Sequence, residues 1–284
     1  MKRARVKLAP DCYNCLHRLV YQAAELATDD IPLRQRAIDE AMKVLDSEFS
    51  YSQVSIVIVT EIHKVVRELT YNPDPYRAMK EREMTIAKEL HPELRSRYKD
   101  DLSGCLKLAA AANALDFFKD LGSMRDDIRK PVSFVIDDSD RFAAKLRNAG
   151  KVLYLADNAG ELYFDLPLVK RMKQFAEVIY TVKPTPVQND LTLEDVKMSG
   201  LQTEFGTVIS TGVASPGVVF SLASAQFKQE FESADLILAK GMGYYEALSE
   251  LPPEGRFFYC LMAKCQPVAN SLKVPINSYV AMLQ

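Results

Sequence analysis

After Pro131 the chain settles into a rhythm that leaves few folds open to it. Short β-rich apolar runs, Val152 to Ala156, Val178 to Val182, Thr207 to Ser210, Leu236 to Ala239 and Phe257 to Leu261, alternate with amphipathic segments. Strands alternating with helices imply βαβ units, and these imply a largely parallel sheet. Four of the runs lead into polar or Gly-rich loops. The first is Asp157-Asn158-Ala159-Gly160-Glu161, the second Lys183 through Asp190, the third Thr211-Gly212-Val213-Ala214-Ser215-Pro216-Gly217, the fourth Lys240-Gly241-Met242-Gly243. In a parallel sheet such loops share one rim, where ligands of open α/β folds collect. Turn and cap chemistry asks for Asp, Asn, Ser and Gly anyway. One such loop means little, whereas four in succession point to a site.

From about Asp11 to Leu121 the apolar spacing is helical instead, as in Cys15-Leu16-Leu19-Val20-Ala23 and Val54-Ile58-Ile62-Val65-Val66. Tyr71-Asn72-Pro73-Asp74-Pro75 breaks two of these helices, and Asp120-Leu121-Gly122-Ser123 reads as the end of the last long one. The expected fold class is therefore α/β. A helical N-terminal region, residues 1–130, packs on a C-terminal α/β domain, residues 131–284, that carries the site and has a largely parallel sheet flanked by helices.

A chain of 284 residues, 48% of them hydrophobic, can bury a full core. Its formal net charge is -2 and its basic residues are dispersed, so no electrostatic footprint for nucleic acid or an anionic membrane is present. No stretch approaches the roughly 20 apolar residues that span a bilayer. Met1-Lys2-Arg3-Ala4-Arg5 leads into polar sequence rather than an apolar signal segment, and a cytoplasmic location is expected. The five cysteines, an odd count, argue against a secreted disulfide framework. The expected partners are small molecules and metals.

The ligand types narrow the chemistry. Asp157, Asn158 and Asp190 offer only oxygens, which suit Mg²⁺ or Mn²⁺ better than zinc. Lys240 would be a point charge for a phosphoryl group, with Gly241 and Gly243 letting the backbone approach the substrate.

The chain resembles the metal-dependent damage-control phosphatases, first catalogued as a domain of unknown function numbered 89. The resemblance rests on Cys12-Tyr13-Asn14-Cys15, Ala112-Asn113-Ala114-Leu115-Asp116-Phe117, Leu155 through Glu161, Val182-Lys183-Pro184 through Asp190, Leu238-Ala239-Lys240-Gly241 and Ala263-Lys264-Cys265. Order and spacing look like the stand-alone prokaryotic branch with a Cys-x-x-Cys start. The resemblance implies a hydrolase that removes phosphate from a small phosphorylated metabolite, a sugar phosphate or a damaged metabolite, with Mn²⁺, Mg²⁺, Co²⁺ or Ni²⁺ as cofactor. It implies that Asp157, Asn158 and Asp190 hold the metal, that Lys240 contacts the phosphate and that Asn113 reaches the site from the helical half. Ala112 stands where the family often has glycine. Gly241 and Ser215 complete the expected phosphate-binding set. Asp190 or Glu161 would orient the attacking water, with an aspartyl-phosphate on Asp157 as the alternative route.

Two rival readings arise from the same residues. Asp138-Ser139-Asp140 resembles the Asp-x-Asp nucleophile motif of haloacid-dehalogenase phosphatases, but Arg141-Phe142 follows where that motif has Thr or Val. Acidic N-capping of the helix beginning near Phe142 is the better reading. Cys12-x-x-Cys15, joined by Cys265 or Cys260, fits a zinc site, a redox pair or simple burial equally well. The alternatives to a phosphatase are thus a non-catalytic binder of metal and phosphate ligands, or a cysteine-based redox protein.

Overall fold

A computed structural model of the chain describes residues 6–114 and 121–284. The readings at Met1 to Arg5 and at Leu115-Asp116-Phe117 lie outside the described residues. Among those described, six helices come first: α1 (Pro10–Ala27), α2 (Ile31–Glu48), α3 (Ser55–Thr70), α4 (Arg77–Arg97), α5 (Leu102–Ala112) and α6 (Leu121–Ile128). Then come β1 (Phe134–Asp137), α7 (Ser139–Leu146), β2 (Lys151–Leu155), α8 (Leu162–Met172), β3 (Glu177–Val182), α9 (Leu193–Met198) and α10 (Gln202–Phe205). The chain continues through β4 (Val208–Ser210), α11 (Ala225–Ser233), β5 (Leu236–Lys240), α12 (Gly241–Leu248), β6 (Phe257–Met262), α13 (Gln266–Leu272) and β7 (Tyr279–Leu283).

The strands form one sheet of order β1-β7-β6-β5-β2-β3-β4. The five expected strands, β2 to β6, are mutually parallel. Two further strands were not foreseen, and the run from Phe257 is not the last. β7 returns antiparallel to β6, and β1 pairs parallel with β7. This reversal decides between the rival sites. The carboxyl ends of β2 to β6 share one rim, whereas that of β1 points to the opposite rim. Asp138 and Asp140 therefore stand apart from the other loops. Asp138 occupies the cap position of α7 but does not cap with its side chain. It accepts from the Leu283 N–H at 3.0 Å and from Arg141, while Asp137 accepts from the Ser139 N–H at 3.0 Å.

The helices follow their apolar stripes. α1, α2 and α3 bury Leu16, Leu19, Val20, Ala37, Ala41, Leu45, Ile58 and Ile62 against one another. α3 stops at the breaker, where Tyr71 takes a left-handed φ of 54°. α5 presents small residues, Ala109 to Ala112, and sits close on α8 and β6, so its Cys105, Leu106 and Ala109 share a core with Tyr154, Leu238 and Phe258 of the sheet. The helix reading to Leu121 is corrected here. α5 ends at Ala112, with Asn113 as its cap and its side chain reaching the sheet rim, and a separate helix spans Leu121 to Ile128. Among the described residues no helix is long and apolar enough to cross a membrane.

One buried group in α3 makes stability depend on pH. His63 is 2% exposed, with Nδ1 2.8 Å from the Val59 carbonyl and Nε2 3.4 Å from the Tyr76 hydroxyl. Burial keeps the ring neutral down to about 4. The folded value lies below the unfolded one, so this contribution is present above about pH 6.5 and is lost as pH falls toward 4. Urea unfolding of the wild type should lose about 3 kcal/mol more than His63→Gln between pH 7 and pH 4. Equal pH slopes for the two proteins would exclude His63 as the titrating group.

Candidate active site

Two loops meet at the rim, and their backbones are laced together. The Leu191 N–H donates to the Asp157 carbonyl at 2.8 Å, and the Ala159 N–H donates to the Asn189 carbonyl at 2.8 Å. Asn158 and Asp190 form an isolated antiparallel bridge. The β2–α8 loop and the β3–α9 loop thus act as one short ribbon that brings Asp157, Asn158 and Asp190 together. Residues 159–161 form a 3-10 turn that carries Glu161 beneath them, fully buried.

Amides and lysines hold the carboxylates. Asn113 Nδ2 donates to Asp157 Oδ2 at 3.0 Å and to Glu161 Oε1 at 2.9 Å, while its Oδ1 accepts from the Met262 N–H at 2.9 Å. Asn158 Nδ2 donates to Asp157 Oδ2 at 3.2 Å and to Glu161 Oε1 at 2.7 Å. Lys240 donates to Glu161 Oε2 at 2.5 Å, to Asp165 Oδ1 at 3.1 Å and to the Ala109 carbonyl at 2.8 Å. Tyr180 donates to Asp165 Oδ2 at 2.8 Å. Lys183 donates to the Gly217 carbonyl and, at 3.0 Å, to the Tyr244 hydroxyl, and lies 3.5 Å from Asp190 Oδ2. That last pair is electrostatic rather than hydrogen-bonded, since Asp190 Oδ2 is buried without a hydrogen-bond partner.

The electrostatics follow from burial and crowding. Burial first, then Glu161 and Asp190, push the Asp157 carboxyl well above the usual carboxylate range. Burial raises Asp190 to about 6 against the pull of Lys183. Burial lowers the Lys183 ammonium, with Asp190 and Asp157 opposing. At Lys240 burial disfavours the charge, but Asp165 and Glu161 outweigh it and hold the proton.

Several expected residues gather here, though three do so in other ways than the sequence implied. Lys240 was expected to face substrate. Its ammonium is fully buried, and all three of its protons go to protein oxygens. Gly241 has φ +75°, and a Cβ there would fall 1.9 Å from Asp157 Oδ2, so the close approach that needs glycine is to Asp157 rather than to a substrate. Ser215 is fully buried, with Oγ 2.8 Å from Thr60 Oγ1 of α3, which ties its loop to the helical half. Asn113 does reach the rim. Lys183 and Asp165 were missed as site residues. Lys183 carries the same signal as Lys240, a lysine ending an apolar strand, whereas nothing in the helical pattern around Asp165 marks it.

The cysteines do not form a disulfide or a ready metal cage. All five are free thiols, and no group of three His, Cys, Asp or Glu side chains able to hold a metal occurs among the described residues. Cys260 lies in the core between β6 and α5, apart from the others. Cys12, Cys15 and Cys265 lie within electrostatic reach of one another and of Glu246. Cys12 Sγ accepts from the Ala9 N–H at 3.4 Å and so helps cap α1. Burial, then Glu246, pushes the Cys265 thiol up to about 12. A maleimide at pH 7 should therefore label exposed Cys15 first and Cys265 slowly, with Cys105 and Cys260 protected until unfolding. Peptide mass spectrometry checks the order, and labelling of Cys265 as fast as Cys15 would reveal a thiolate there.

The geometry can now be set beside known proteins. Residues 8–280 match the family described as Damage-control phosphatase ARMT1-like domain. The chain belongs to this family. It is 34% identical over 285 residues to a damage-control phosphatase of Pyrococcus horikoshii, covering 98% of each chain. It is 31% identical over 287 residues to a damage-control phosphatase of Archaeoglobus fulgidus, covering 97% of this chain and 99% of that one. A crystal structure of a domain-of-unknown-function-89 family protein from P. horikoshii superposes with a TM-score of 0.88 at 33% identity, over 98% of this chain and 99% of that one.

Proposed function

We infer that this family member is a divalent-metal-dependent phosphatase acting on a small phosphorylated metabolite. The observation that carries the reading is a crowding of carboxylates at the rim. Asp157, Glu161, Asp165 and Asp190 gather there; Lys183 pairs with Asp190 and Lys240 with Glu161 and Asp165, while two amides hold Asp157. Lys264 also bears on Asp157. In the metal-free protein burial and this crowding disfavour ionised Asp157 and raise Asp190, and a bound divalent cation would offset them.

The residues fit such an ion. Asp190 Oδ2 is buried and lacks a hydrogen-bond partner. The Asp157 carboxylate is held over the Gly241 backbone by two amides, and the donors available are all oxygens. Among the described residues no three carboxylates converge as a cage, so beside Asp157 and Asp190 the Asn158 amide oxygen would complete the set. Asp157, Asn158 and Asp190 would hold the cation. When bound, it would supply Lewis acidity to a phosphoryl oxygen and to the attacking water. Glu161 has little left for that water, since Oε1 accepts from two amides and Oε2 from Lys240. Asp190 is the better carboxylate to orient the water and take its proton. Glu161 instead keeps Asn113, Asn158 and Lys240 in register.

The reading is tested by phosphate release from a panel of phosphorylated metabolites. Turnover should vanish in excess chelator and return with Mn²⁺, Co²⁺, Ni²⁺ or Mg²⁺. Turnover that persists in chelator would remove the metal. Tight binding of a phosphate ester without release of phosphate would leave a sensor in place of an enzyme.

A further inference from the structure

We propose that Glu83, in α4 of the helical half, is a positioning residue that acts through Asn189 to hold Asp190 opposite Asp157 and Asn158. The proposal rests on the metal-binding reading of that trio. The buried stripe of α4 is Lys80, Glu83, Ile86, Ala87, Leu90 and Leu94, apolar except at its head. Two charged residues at the start of an apolar stripe are costly unless they bind something specific. Both bind the segment that carries Asp190. Glu83, fully buried, accepts from Asn189 Nδ2 at 2.9 Å. Lys80 pairs with Asp74 at 3.0 Å and with Asp195 at 3.3 Å, and Asp195 in turn accepts from the Thr192 N–H and hydroxyl. Arg67 of α3 donates to the Pro186 carbonyl, at the start of the same segment.

Asn189 is the link between α4 and the site. It is 1% exposed, its side chain goes to Glu83, and its carbonyl accepts the Ala159 N–H of the facing loop. The residue before it, Gln188, has φ +47°, a left-handed conformation that a non-glycine residue keeps only when its surroundings impose it. The Asp190 N–H closes that turn onto the Val187 carbonyl at 3.1 Å. α4 also packs directly on the turn at residues 159–161. The helical half therefore touches both loops of the ribbon, and the Glu83–Asn189 bond fixes the turn from which Asp190 projects.

The test measures binding of Mn²⁺ alone by calorimetry to the full-length wild type, Glu83→Ala and Glu83→Gln, with thermal unfolding as the control for fold. Glu83→Ala should weaken Mn²⁺ binding by about 10- to 100-fold, the usual effect of losing a residue that orients a ligand. Glu83→Gln should stay within about threefold, because an amide oxygen still accepts from Asn189. Saturating Mn²⁺ should restore most of the turnover of Glu83→Ala. If that variant does not fold, Asn189→Ala removes the same bond from the other side and should give the same loss. Wild-type affinity in the folded Ala variants, or equal damage in Glu83→Gln, would overturn the positioning role while leaving the metal site standing. A wild type that binds no Mn²⁺ would overturn the metal reading and this proposal with it.

Discussion

Asp157→Ala is expected to lower phosphate release by about 10³-fold, the scale on which removing one fixed electrostatic group acts at a reacting centre. It should abolish measurable Mn²⁺ binding along with that loss. The metal-free protein should be no less stable than the wild type. Asp157 stands among like charges, and burial with Glu161 and Asp190 already disfavours its ionised form. Its departure leaves the amides of Asn113 and Asn158 each with Glu161 Oε1 as one partner, and the second N–H of each faces the space left by a partly exposed side chain, which water can enter. Calorimetric Mn²⁺ titration and thermal unfolding in chelator check both halves. Unchanged turnover would remove Asp157 from the site, and a collapsed fold would make it a structural residue instead.

Lys240→Met should show the opposite profile, a loss of stability by about 3–5 kcal/mol, because it deletes one partner of a buried ionic group and leaves the others uncompensated. Methionine retains much of the stem, so packing changes little and the charge is what is tested. Glu161 and Asp165, both fully buried, would face each other without the ammonium between them. For a chain of this size the melting temperature should fall by about 10 °C. A normal melting temperature with reduced turnover would return Lys240 to the substrate-facing role that its place in the sequence first implied.

The contrast between these two residues marks how far the sequence could be read. Strand ends were legible, because apolar runs stopped at polar loops, and the parallel order of β2 to β6 then put Asp157, Asp190 and Lys240 on one rim. The direction of a side chain was not legible. All five residues of β5 are buried, so there is no alternation of exposed and covered positions to tell which face Lys240 chooses. β7 was missed for a related reason. It is a short, wholly buried run, Tyr279 to Leu283, without the alternation that marks a half-covered strand. The tie from α4 was invisible because Lys80-Glu81-Arg82-Glu83 reads as a solvated helix face, and only the fold shows that two of the four are covered. Asn113 was legible only through its motif, since its anchor on the Met262 N–H lies 149 residues away.

The reversed pair at one end of the sheet also bears on how little edge the sheet offers to a further strand. A sheet's outermost strands expose unpaired backbone groups and invite another chain to add a strand. Here both outer strands are brief. β4 offers three residues, and β1 offers four whose register slips between Phe134 and Ile136. By returning antiparallel, β7 keeps its own fully buried five-residue run inside the sheet and leaves the irregular β1 to face outward. The longer, largely apolar strands are all interior, and the margins are short and, at β1, uneven.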